Sequence, residues 1–133
     1  MDKTKEKESE FGLKNTRLRM LAMAGESIAE GNNSTCRLWL LNYIDSISRE
    51  SEPGKELMAE YTKLTEKYNE NANEMHYIYE QSSRGLDYDN ITHGIPATEW
   101  LDIESKKAMS LYVRSVHSLC WNIGNQWDLI PKE

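Results

Sequence analysis

The feature that most constrains this chain is a run of mainly apolar side chains that recur in alternating steps of four and three residues. The positions are Leu57, Tyr61, Leu64, Tyr68, Asn71, Met75 and Ile78. Such steps place the side chains on one face of an α-helix, because an α-helix turns once every 3.6 residues. Pro53 suits a first helical turn. The sequence therefore predicts a helix of about 40 Å from Pro53 to about Ser83.

Three further segments with helical periodicity predict an all-α fold. The helices are expected over residues 13–30, about 35–50 and 99–123, and no segment shows the alternation of a β-strand. We expect a four-helix bundle in which helices three and four form a long antiparallel pair and helices one and two form a shorter N-terminal hairpin. Residues 1–12 carry mixed charge without periodicity, which predicts a flexible tail or a solvated helical extension. Residues 13–133 are then a single helical domain.

Residues with strong turn or capping preferences mark the predicted helix ends. Gly31 and Gly124 stand where helices one and four are expected to stop. Asn33 or Ser34 is expected to open helix two, and Thr98 to open helix four, because their side-chain oxygens accept hydrogen bonds from the first free N–H groups. A short apolar tail is predicted to fold back onto the bundle, with the residues Trp127, Leu129 and Ile130.

The composition argues against several classes of function. The 22 acidic residues outnumber the 16 Lys and Arg residues and give a net charge of −6, which disfavours general binding to the phosphate backbone of nucleic acids. The longest apolar runs, 20–24 and 38–41, are far shorter than a membrane-spanning helix of roughly 20 residues. Residues 1–12 lack the apolar stretch of a secretory signal, so we expect a cytoplasmic protein. The isolated Cys36 and Cys120 are predicted to be small buried side chains in a reducing compartment.

Two interpretations fit the heptad-like seam of helix three. In the first, the seam is the core face of an intramolecular bundle. The stripe is wider than a two-stranded coiled coil needs, which favours this interpretation. In the second, it is the seam of a homodimer, and each Asn71 pairs with its counterpart and fixes the register. The residues of this predicted dimer seam are Tyr61, Leu64, Tyr68, Asn71 and Met75.

Other apolar and aromatic side chains are candidates for contact with a partner protein. They are Met20, Met23, Tyr88, His93, Trp100 and Trp127. The two methionines give helix one more apolar surface than one interface uses. The two tryptophans lie at the ends of predicted elements, where a half-exposed indole can anchor a partner. The tyrosine and the histidine lie in a loop of about a dozen residues between helices three and four, which is longer than a connection requires.

One alternative hypothesis is a regulator that binds DNA through a helix-turn-helix. Helix one, the turn at Gly31 and helix two have the spacing of that motif. A small positive cluster lies on these two helices, formed by Lys14, Arg17, Arg19 and Arg37. A recognition helix needs a polar face for base edges, and the apolar run 38–41 leaves little of helix two free for that work. We therefore favour an ordinary helical hairpin with a solvated basic patch.

A second alternative is a metal-dependent hydrolase. Helix three carries six spaced carboxylates, Glu52, Glu56, Glu60, Glu66, Glu70 and Glu74. These carboxylates resemble those of all-α nucleotide pyrophosphohydrolases, which hold magnesium on Glu-x-x-Glu and Glu-x-x-Asp pairs. The spacing here is four, and the interspersed lysines favour a solvated face with Glu–Lys pairs. The loop residues 87–93 offer further ligands, which turn chemistry explains as well. His117 with Cys120, and His76 with Glu80, supply two ligands where a site needs three or four.

The leading hypothesis is a small non-enzymatic protein that binds another protein. It would act as an adaptor, a regulator or an inhibitor by covering a surface of its partner, and we expect it to be a homodimer. The sequence offers no convergent set of catalytic residues. We accordingly predict no catalytic residue, no bound metal and no cofactor.

Overall fold

Over the residues that the structure describes, the chain folds into four α-helices. The computed structural model describes the backbone of residues 3–84 and 95–131, and the side chains from residue 11 onward within those ranges. The helices are α1 (Lys3–Ala29), α2 (Asn33–Asp45), α3 (Glu52–Ser83) and α4 (Ala97–Gln126). The long antiparallel pair α3 and α4 shares the most extensive packing, and α1 and α2 form a hairpin. The predicted all-α four-helix bundle is confirmed, and the described ranges contain no β-strand.

The N-terminal helix begins before the segment with apolar periodicity, and residues 3–12 form the helical extension that was one of the two predictions for residues 1–12. α1 begins at Lys3, whereas the periodicity placed its first residue at Leu13. Residues 3–12 continue the helix because Lys and Glu, which dominate this segment, are good helix formers even without an apolar stripe. At the other end, Gly31 has a φ of +75°, so the predicted glycine stop is confirmed.

The turn between α2 and α3 is longer than predicted. α2 ends at Asp45, although the prediction extended it to about Glu50. Ser51 accepts a hydrogen bond from the backbone N–H of Gly54 at 3.1 Å and so caps α3, which means that the residues before Ser51 are needed for the turn. α2 is capped by Asn32, whose Oδ1 atom accepts from the N–H of Thr35 at 3.1 Å. The cap of α2 was predicted at Asn33 or Ser34, one or two residues later, and that prediction is therefore wrong.

The last helix also exceeds its predicted bounds. α4 begins at Ala97 without a side-chain cap, so the expected cap at Thr98 is not used. It continues past Gly124 to Gln126, and the predicted stop at Gly124 is wrong. A Cβ atom at Gly124 would lie 2.8 Å from the hydroxyl of Tyr43, so this glycine permits close packing against α2. The C-terminal tail folds back as predicted, and Ile130 is buried in the core.

Among the described residues, two clusters of buried side chains hold the helices together, and Tyr68 packs against both. The main cluster joins all four helices and the C-terminal tail, and its largest fully buried members are Leu21, Leu40, Tyr43, Leu57 and Ile130. The second cluster is smaller and consists of Met75, Trp100 and Ala108, with partly buried neighbours from α3, α4 and Ile95. The second cluster therefore receives no residue from α1 or α2. Within the described ranges, no helix combines the length and the apolar character that crossing a membrane requires.

Candidate protein-interaction face

The outer halves of α3 and α4 extend beyond the helices that cover the rest of the pair. No buried residue of α4 before Tyr112 belongs to the main cluster, yet α4 reaches back fifteen residues further, to Ala97. We call residues 69–83 of α3 and 97–111 of α4 the distal hairpin. At 1.5 Å per residue, its arms are about 22 Å long. Its own core is only the second cluster, so most of its surface faces solvent.

An open groove runs along one side of the α3/α4 pair, and we call it the outer groove. Two adjoining cavities of about 440 Å³ and 350 Å³ make up this groove, and all their lining residues belong to α3 and α4. α2 lies on the opposite side of the pair, because its residues meet Val113 and Val116 of α4, which do not line the groove. The outer groove is thus a long concave surface that α1 and α2 leave uncovered.

The floor of the outer groove is apolar. Leu64 and Tyr68 of α3 line it opposite Ala108 and Leu111 of α4. Leu111 is 64% exposed, the largest exposed fraction among the large apolar side chains that the structure describes. Trp100 and Ile78 continue the lining toward the end of the hairpin. An exposed leucine in the middle of an apolar concave surface is typical of a protein-interaction site.

The α3 rim of the outer groove is polar and charged. It carries Lys67, Glu70, Asn71 and Glu74, all of them exposed. None of the three charged side chains takes part in an ion pair within the described residues. The rim therefore carries two carboxylates and one ammonium group, none of them held in an ion pair among the described residues.

Aromatic contacts at the centre of the α3/α4 pair fix the proximal end of the groove. The rings of Tyr68 and Tyr112 stack with centroids 4.9 Å apart. The hydroxyl of Tyr112 lies 2.8 Å from that of Thr65 in a hydrogen bond. Burial, together with a hydrogen bond to Tyr112, raises the pKa of Tyr61. These contacts hold α3 and α4 in register and keep the groove floor in place.

The predicted dimer seam lies against α4 of the same chain. Tyr61, Leu64 and Tyr68 pack on the main cluster, and Met75 is buried in the second cluster. The intramolecular interpretation of the heptad pattern therefore accounts for these four side chains. Asn71 is exposed at the groove, so the chain itself does not bury this amide. The homodimer remains a prediction.

The other predicted partner-binding residues fall into different environments. Trp127 is 39% exposed, and its Nε1–H donates to Glu56 at 2.6 Å, which joins the end of α4 to the start of α3. Trp100 is only 6% exposed, so the expected half-exposed indole at this position is wrong; it packs inside the distal hairpin. Met20 and Met23 are half-buried. The remaining two candidates, Tyr88 and His93, lie outside the described residues.

The positive cluster of α1 and α2 is largely used inside the fold. Arg17 is 8% exposed, and its guanidinium donates to the hydroxyl and the carbonyl of Ser46 and to the carbonyl of Leu129. Lys14 forms an ion pair of 3.1 Å with Asp128. Only Arg19 and Arg37 of the cluster stay exposed without an ion pair among the described residues. A protein binds DNA through several contacts between basic side chains and phosphates, and two scattered arginines supply too few of them.

The titratable groups of the described chain do not converge on a reactive centre. Among the described residues, no three side chains of His, Cys, Asp or Glu come together to hold a metal ion. Burial, with the nearby Cys36, raises the pKa of Cys120 to about 12, so its thiol stays protonated at neutral pH. Nε2 of His117 lies 2.9 Å from the carbonyl of Leu21, a contact that joins α1 to α4, and 3.0 Å from Nε1 of Trp121 within α4. The loop residues 87–93 lie outside the described residues.

The sequence analysis missed the residue that most defines the groove. Leu111 directly precedes Tyr112, and a step of one residue turns by 100° around a helix. An apolar residue at that angle lies outside the buried stripe of α4. Its position off the stripe is the sequence signal from which an exposed apolar side chain could have been predicted. Lys67 and Asn71 do not reveal a groove from the sequence, because its shape depends on where α1 and α2 end.

Comparison with protein-family models, curated proteins and solved structures finds no match for this chain.

Proposed function

We propose that this chain is a small non-enzymatic protein that binds another protein through the outer groove of its α3/α4 pair. It would act as an adaptor, a regulator or an inhibitor by covering a surface of that partner. The observation that supports this proposal best is Leu111, which is 64% exposed on the apolar floor of a groove that α1 and α2 leave uncovered. A monomer that works alone gains nothing from such a surface, since apolar side chains exposed to water forgo the free energy of burial.

The energetics of the distal hairpin favour a partner. Complete burial of one leucine side chain contributes about 1.5–3 kcal/mol, and a helix seated in the outer groove would cover Leu111 together with the rest of the floor. The hairpin itself buries only Met75, Trp100 and Ala108. Helical segments with so few tertiary contacts have low local stability. Binding would therefore stabilise the hairpin and cover its apolar surface in the same step.

The test uses two leucines with nearly the same exposure. Leu111 in the groove is 64% exposed, and Leu38 on the outer face of α2 is 62% exposed. We expect L111D to abolish capture of a specific partner from the cells that produce the protein, whereas L38D retains it. The measurement is affinity capture with quantitative mass spectrometry, after circular dichroism has shown that both variants fold. Proteins captured equally by the wild type and by L111D would refute the groove as the binding surface.

The predicted homodimer has a separate test. Light scattering after size exclusion measures the molar mass across a range of concentrations. A strict monomer at tens of micromolar would remove the homodimer and leave the binding of another protein untouched, because the two proposals concern different measurements.

A further inference from the structure

We propose that the occupant of the outer groove is a basic amphipathic helix of another protein. This inference rests on the proposed function and adds the chemistry of the partner. The distal hairpin carries six carboxylates and two lysines, so it holds four of the six net negative charges of the chain in about a quarter of its length. A surface with one dominant sign of charge attracts partners of the opposite sign.

The carboxylates beside the groove are available to a partner. Both lysines of the hairpin are already engaged, Lys106 with Asp102 at 3.1 Å and Lys107 with Glu104 at 3.5 Å. Glu70 and Glu74 are exposed, follow each other at a spacing of four residues on the α3 rim, and have no ion pair within the described residues. Like charges at this spacing repel each other weakly in the free protein. A cation between them would relieve that repulsion.

The shape of the outer groove fits a helix of about four turns. Its lining extends along α3 from Leu64 to Ile78, which is about 21 Å at 1.5 Å per residue. A helix of about 14 residues spans that distance. An apolar floor beside a charged rim suits a helix with apolar residues at positions i, i+3, i+4 and i+7 and charged residues on one flank. The rim carries Glu70 and Glu74 against the single Lys67, and this excess of carboxylates favours Lys or Arg on that flank.

The same charges disfavour the other candidate occupants. A second copy of the chain would bring another acidic hairpin against this one, and like charges placed opposite each other destabilise an interface. Nucleic acid would place phosphates near Glu70 and Glu74, which also repel. A basic helix is the occupant for which both the floor and the rim are complementary.

The experiment compares two synthetic helical peptides of about 15 residues. Both carry the same leucines at helical spacing, and one has Lys on its flank where the other has Glu. Fluorescence anisotropy of labelled peptides measures the dissociation constants at low and at moderate salt. We expect the Lys peptide to bind at least about tenfold more tightly than the Glu peptide, and salt to weaken its binding. L111D should abolish binding, and L38D should not.

A matched pair of double variants separates local recognition from net charge. E70K/E74K reverses the two glutamates of the rim, and E26K/E30K reverses an exposed glutamate pair at the same spacing at the C-terminal end of α1. We expect the first double variant to weaken the Lys peptide at least about tenfold and the second less than about twofold. Equal losses in both double variants would mean that net charge alone attracts the peptide, which overturns the proposal.

The remaining outcomes also decide the proposal. If both peptides bind equally and L111D abolishes both, the basic occupant is wrong while the groove still binds protein. If light scattering shows a dimer that L111D dissociates, the occupant is a second copy and the proposal is wrong. If neither peptide binds the folded wild type, the proposed basic helix is again wrong. The proposed function is then decided separately, by the capture experiment with L111D and L38D.

Discussion

Substitution of Arg17 by methionine tests how the N-terminal helix is attached to the bundle. The Arg17 guanidinium donates three hydrogen bonds, at 3.0 Å to the hydroxyl of Ser46, at 2.8 Å to its carbonyl and at 3.3 Å to the carbonyl of Leu129. It therefore joins α1 to the end of α2 and to the C-terminal tail. The positive charge also lies at the C-terminus of α2, where the helix dipole favours a cation.

The expected loss follows from the groups that Arg17 leaves behind. When a half-buried acceptor loses its charged donor, the free energy of unfolding falls by about 1–3 kcal/mol, and three acceptors are affected here. Part of that loss is recovered, because a buried guanidinium is itself poorly solvated; this burial also lowers the pKa of Arg17. Methionine keeps most of the apolar length of the side chain. We expect R17M to lower the free energy of unfolding by about 2–3 kcal/mol.

Arg19 provides the matched control, since it lies on the same helix and is exposed. R19M changes the net charge by the same amount and should change the stability by less than about 0.5 kcal/mol. Urea denaturation followed by circular dichroism measures both variants. With a slope of about 1.5 kcal/mol per molar urea, R17M should lower the midpoint by between about 1.3 M and about 2 M. Equal midpoint shifts in R17M and R19M would refute the reasoning.

Two further predictions concern the helical glycines and a buried thiol. G124A places a Cβ atom 2.8 Å from the hydroxyl of Tyr43 and should lower the free energy of unfolding by about 1–3 kcal/mol. G12A places a Cβ atom that meets nothing within 4 Å and should raise the free energy of unfolding by about 0.5–1 kcal/mol. Urea denaturation measures both variants, and a destabilised G12A would contradict this prediction. Burial and the nearby Cys36 raise the pKa of Cys120 from 9.0 to about 12, so above pH 9 the unfolded chain releases a proton that the folded chain keeps. Unfolding free energy measured between about pH 8 and about pH 10.5 should therefore fall with pH by up to about 1.4 kcal/mol per unit, and less steeply in C120A; equal slopes would show that this thiol is not responsible.

Local signals predicted the elements of the fold well. The steps of three and four residues found α3, and Pro53 in its first turn marked the start within one residue. Gly31 marked the end of α1, because a positive φ is a local property that favours glycine. Such features depend on neighbours along the chain, so the sequence displays them directly.

Features that depend on distant neighbours were predicted poorly. Arg17 was assigned to a solvated basic patch, yet it is buried, because its partners Ser46 and Leu129 come close only in the folded chain. Gly124 was taken for a helix stop, but its role is set by Tyr43 of another helix. Leu111 lies off the buried stripe, and its exposure follows from where the covering helices end. No local preference encodes these three outcomes.

The outer groove arises from where α1 and α2 pack. α2 has only 13 residues against the 32 of α3, and α1, although 27 residues long, adds Leu21 and Ala24 to the main cluster and nothing to the second cluster. Two helices packed against each other bury one seam and leave both flanks open, whereas a third helix is needed to cover a groove between them. The main cluster obtains that cover from α1, α2 and the C-terminal tail. The distal hairpin receives none from α1 or α2, and the basic helix that we propose would supply the missing third element on the side where Leu111 is exposed.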